Sequence, residues 1–66
     1  MKERYWEIIA DGGIHYYSSW DDVLEDFILY AEDEYYTEIE VYDPIINAVL
    51  MESTDGEITD ILGLLE

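Results

Sequence analysis

Sixty-six residues with eighteen acids against two bases carry a formal net charge of −16, which excludes attraction to nucleic acid or anionic lipid as the basis of binding. No cysteine is present, so disulfides and thiolate zinc sites are excluded. Half of the residues are hydrophobic and 15% aromatic, a composition that disordered acidic chains lack.

A chain of this length buries only about 60% of its unfolded surface, so it needs a compact core or a second copy of itself. Its bases, Lys2 and Arg4, both stand at the N-terminus, and from Tyr5 to Glu66 there is no Lys or Arg. The segment MKERYWEII has neither the apolar core nor the small-residue cleavage site of a signal peptide. No apolar run approaches the roughly 20 residues of a membrane span. The expected organisation is one domain, residues 1–66, in the cytoplasm.

Residues 4–10 (RYWEIIA) alternate Trp6, Ile8 and Ala10 against Tyr5, Glu7 and Ile9, the period of a strand. Asp11-Gly12-Gly13 is turn chemistry, and residues 14–17 (IHYY) complete an antiparallel hairpin. Next comes an amphipathic helix within Ser18 to Tyr36. Trp20, Val23, Leu24, Phe27, Ile28 and Ala31 recur at the helical period, while Asp22, Glu25, Asp26, Leu29, Glu32 and Asp33 fall opposite. Ser19 and Asp22 have the spacing of a capping box, and Asp21 and Asp22 suit the positive end of the helix dipole. Glu32, Asp33 and Glu34 crowd the other end, where anions are unfavourable, a conflict that points to selection for function.

Residues 36–43 (YTEIEVYD) alternate Thr37, Ile39 and Val41 inward against Glu38, Glu40 and Tyr42 outward; Pro44 ends this strand. Residues 48–52 (AVLME) read as a well-covered strand, and Ser53 to Gly56 as a turn. Residues 57–62 read as a last strand, favoured by the Asp-Gly cue. A helix is the alternative, because Ile58, Ile61, Leu62 and Leu65 also fit its period. The order ββαβββ implies an α+β fold: a single antiparallel sheet with one amphipathic helix packed on one face.

The candidate site is the acidic surface. Two acids per helical turn give roughly one charge per 2.7 Å of axis, comparable to the roughly 1.7 Å of duplex DNA. Its expected members are Asp22, Glu25, Asp26, Glu32, Asp33, Glu34, Glu38 and Glu40, joined by Asp43 at the strand end. Tyr35 and Tyr36, beside three acids, are either core residues or exposed rings apt for arginine. The competing readings are a merely solvated acidic face and halophilic adaptation. Catalysis is not expected: the lone His15 sits among tyrosines, the serines have turn or cap roles, and no phosphate loop occurs. Neither Asp-Gly pair supplies an EF-hand pattern, so no metal site and no cofactor are expected.

In size, charge and lack of a catalytic motif the chain resembles the small acidic inhibitors encoded by phages and mobile elements, the DNA-mimic anti-restriction and acidic anti-CRISPR proteins. That resemblance implies a protein that blocks the nucleic-acid-binding surface of a host defence complex, a CRISPR effector or restriction enzyme, through the acids named above. The partner is then a basic nucleic-acid-binding protein rather than nucleic acid or membrane. The alternatives are an antitoxin-like module that binds one basic protein without mimicry, and a homodimer formed through tyrosine-rich surface.

Overall fold

The computed structural model describes residues 4–61 and Gly63. Among these residues five strands, β1 (Trp6–Ala10), β2 (Gly13–Tyr17), β3 (Glu38–Asp43), β4 (Ala48–Thr54) and β5 (Glu57–Asp60), form one antiparallel sheet in the order β2-β1-β3-β4-β5. One helix, α1 (Trp20–Glu32), connects β2 to β3 and packs against β1, β3 and β2. The α+β fold and the order ββαβββ are those expected.

Two Asp-Gly turns set the registers. Asp11 and Gly12 have φ of 47° and 88°, and Asp55 and Gly56 have 52° and 84°. Positive φ at both central residues is the signature of the two-residue hairpin whose twist matches its strands. The first turn is therefore one residue shorter than expected, and Gly13 pairs with Ala10 as part of β2. The second is shorter too, because Ser53 and Thr54 belong to β4 and pair with Ile58 and Glu57. Pro44 and residues 45–47 turn β3 into β4, with Asn47 at φ 55° and its side-chain oxygen accepting from the Tyr42 hydroxyl.

A bulge breaks the β3–β4 register. Val41 pairs with Met51 but Tyr42 pairs with Val49, leaving Leu50 as the extra residue. Bulging turns successive side chains toward one side, and Leu50 and Met51 are both buried. The core joins them to Ile8, Ala10, Ile39 and Val41 of the sheet and to Val23, Phe27 and Ala31 of the helix. Trp6, Tyr17, Trp20, Leu24, Tyr30 and Tyr36 pack around it, with the Trp6 and Trp20 rings 5.4 Å apart.

The helix departs from expectation in three respects. It stops at Glu32 rather than running toward Tyr36, and Asp33 is its C-cap, with extended backbone. Ser19 is the N-cap, but its side chain makes no capping bond, so the capping box does not form. Its buried line is Val23, Phe27 and Ala31, with Tyr30 half-buried and Ile28 exposed. At 100° per residue, Tyr30 lies about 60° from Phe27 and Ile28 about 100° on the other side. Stacking of Tyr30 on His15 of β2, at 5.6 Å, favours that rotation. At the end of the chain, residues 57–60 are strand rather than helix; Leu62 and Leu65 lie outside the described residues.

Candidate acidic interface

On α1, Asp22, Glu25 and Glu32 are exposed along the side away from the sheet. Asp26 is half-buried and accepts a 2.8 Å hydrogen bond from the Tyr17 hydroxyl, which ties the helix to the β2 edge. Partial burial, then the hydrogen bond to Asp26, pushes the Tyr17 phenol far above its usual value of 10.0. The folded state therefore keeps this proton after the unfolded chain has lost it. The associated stability is complete below about pH 10 and declines above it. Urea midpoints measured at pH 8 and pH 11 should fall less for Tyr17→Phe than for the parent, although the variant loses about 1 kcal/mol at pH 8 with its hydrogen bond.

The helix ends in an acidic pole. The Asp33 backbone N–H donates to Tyr30 O at 3.2 Å, and Asp33 Oδ1 accepts from the Tyr35 N–H at 3.0 Å. Both Asp-Gly turns converge here on the start of β3. The Asp11 carboxylate accepts from the N–H groups of Thr37 and Glu38, at 3.2 and 2.8 Å. The Asp11 N–H donates to Glu38 O and the Asp55 N–H to Thr37 O, both at 2.8 Å. A cleft of about 310 Å³ opens between helix and turn, lined among others by Glu32, Asp33, Glu34, Thr37 and Asp55. No basic residue stands in the last helical turn, so the negative end of the dipole adds to these charges. Asp11 and Asp55 were readable only as turn formers, since nothing in the spacing of the two Asp-Gly pairs says that they meet.

Glu38 and Glu40 are not part of that surface. The buried neighbours Ile39 and Val41 face the helix, and the two-residue period of a strand sends Glu38 and Glu40 to the opposite, open face of the sheet. Glu40 pairs there with Glu52, a like-charge apposition that costs stability. A cleft of about 220 Å³ beside them is lined by Glu38, Glu40, Glu52 and Thr54. The expected acidic site is thus two surfaces separated by the sheet, one along α1 and its C-terminal pole, the other across β3 and β4.

Asp43 belongs to neither. It is buried and accepts two hydrogen bonds from Arg4, at 2.9 and 2.6 Å, and one from the Ile45 N–H at 2.9 Å. The two tyrosines diverge: Tyr35 is 80% exposed, while Tyr36 is half-buried against the core. Partial burial, then the neighbouring Tyr30 phenol and the Asp33 carboxylate, raise the Tyr36 phenol above its usual value. Its ring meets that of Tyr30 edge-to-face at 4.8 Å and that of Tyr35 at 5.1 Å.

The chain matches no protein-family model, no curated protein and no solved structure. Among the described residues no helix is long and apolar enough to cross a membrane. Among the same residues, no group of three or more histidine or acidic side chains is arranged to hold a metal ion.

Proposed function

We propose that this protein is an inhibitor that occupies the basic nucleic-acid-binding surface of a host defence complex, a CRISPR effector or restriction enzyme, by presenting a nucleic-acid-like array of carboxylates. The reading places it in the cytoplasm of the host cell. The observation that carries it is the distribution of charge over a body of 38 × 24 × 19 Å. Among the described residues sixteen acids stand against one base, Arg4, and the fifteen net charges along 38 Å amount to about one per 2.5 Å, against about 1.7 Å for duplex DNA. The acids lie on opposite sides of the sheet, as phosphates lie on opposite sides of a duplex. Binding to a basic groove would be fast, steered and salt-sensitive.

The test is capture from a bacterial lysate at low salt, followed by challenge with duplex DNA and rising salt. Asp22→Lys/Glu25→Lys is the informative variant, because both side chains are exposed, whereas reversal at Asp26 would break its bond to Tyr17. Affinity for the captured protein should fall at least tenfold with the fold unchanged. Equal binding by the variant would sink the mimic reading.

The open sheet face favours a second reading, an interaction module without mimicry. Tyr16 is 67% and Ile14 49% exposed on the edge strand β2, and Tyr5 lies 5.9 Å from the Tyr16 ring. On this reading Tyr16→Ser weakens capture more than the charge reversals do, and binding survives high salt.

A further inference from the structure

We infer that the groove between α1 and the turn that follows it is a receptor for one arginine side chain of the partner protein. The inference rests on the reading of the partner as a basic protein, and it names the point at which the partner is gripped. The groove has a volume of about 270 Å³ and is lined by Asp26, Leu29, Tyr30, Asp33 and Tyr36. Leu29 is 58% exposed in the middle of an otherwise acidic helix face, where burial gives no reason for a leucine. It provides an apolar floor for the methylene stem of a long basic side chain. The Tyr30 and Tyr36 rings meet edge-to-face, 4.8 Å apart, with His15 stacked on Tyr30 and Tyr35 against Tyr36; both Tyr30 and Tyr36 line the groove, so a planar cation seated in it meets aromatic carbon.

The two carboxylates sit at the sides of this aromatic corner. Tyr17 engages Oδ2 of Asp26, and the Tyr35 N–H engages Oδ1 of Asp33. Those bonds hold each carboxylate in place, and each has a second oxygen for an incoming N–H donor. A guanidinium is planar, weakly hydrated and forked, and it suits rings flanked by carboxylates better than the compact, strongly hydrated ammonium of lysine. The chain has no Lys or Arg after Arg4, and Arg4 is engaged with Asp43 at the far end of β3. No residue from 5 to 66 can supply the arginine, which leaves the groove to the partner's.

N-acetyl-arginine amide and N-acetyl-lysine amide are the probes, titrated into the whole chain at low salt and followed by NMR. The arginine probe should shift the Leu29 methyl and the Tyr30 and Tyr36 ring signals first, with the lysine probe about three- to fivefold weaker. Asp26→Asn/Asp33→Asn retains the side-chain acceptors and should weaken the arginine response at least fivefold. Tyr36→Leu should abolish the preference for arginine over lysine, provided its amide spectrum shows the parent fold; otherwise the asparagine pair decides. Equal response to both probes, or shifts spread evenly over all acidic surfaces, overturns the receptor. Either result leaves the mimic reading intact, since that reading stands or falls with the Asp22/Glu25 reversal.

Discussion

Replacing Phe27 by alanine is expected to unfold the protein at room temperature. The ring is fully buried where the helix meets the sheet, among Ile8, Val41 and Met51 of the core. Truncating a buried phenylalanine costs about 3–5 kcal/mol through lost transfer energy and the cavity left behind. A chain of this length has roughly 3–10 kcal/mol of stability in all, and its own net charge lowers that further. Circular dichroism should show loss of the cooperative thermal transition. Leu29→Ala, two residues on and 58% exposed, should stay within about 0.5 kcal/mol of the parent. A variant lacking Phe27 that still melted within a few degrees of the parent would show that the helix is not what closes this core.

The second large effect is expected at Arg4. Its guanidinium grips Asp43 with two bonds and lies 4.8 Å from the Trp6 ring centre. Asp43 is 1% exposed, and removing its cation leaves a buried carboxylate with the Ile45 N–H. Breaking a fully buried pair from one side costs about 3–5 kcal/mol. Because the Arg4 side chain is 46% exposed, solvent screening reduces the expected loss to about 2 kcal/mol. Arg4→Ala should lower the urea midpoint accordingly, and Arg4→Ala/Asp43→Asn should recover most of the loss, since the amide keeps the Ile45 acceptor without the charge. Independent, additive losses in that double-mutant cycle would refute the pairing.

Alternation and turn chemistry carried the fold. Trp6, Ile8 and Ala10 against Glu7 and Ile9, Ile39 and Val41 against Glu38 and Glu40, and two Asp-Gly pairs were enough for the strands and their order along the chain, though not for their order in the sheet. What they did not carry was side and rotation. The two-residue period says that Glu38 and Ile39 face opposite ways, but not that the helix lies over Ile39, so helix and strand acids were read as one surface. The stripe of α1 was broad enough to accept either Ile28 or Tyr30; contact with His15, a tertiary matter, chose Tyr30. Asp43 was counted among exposed acids because its partner stands thirty-nine residues away. Leu29 was visible as an apolar residue on the acidic side, and its meaning emerged only with the tyrosines beside it.

The strand order has a kinetic consequence. The pairs β1–β2, β3–β4 and β4–β5 are all joined by connections of two to four residues and can zip up on their own. Only β1–β3 joins segments separated by a helix, and closing that longer loop costs entropy before its contacts repay it. Folding should therefore be limited by the docking of two preformed halves along one seam, Glu7–Ala10 against Ile39–Tyr42. Substitutions at Ile8 and Val41, which face each other across it, should slow folding, whereas those in β5 should mainly speed unfolding. The same seam makes the chain a candidate for reassembly from two fragments cut after Tyr35, where the backbone lies between the two halves.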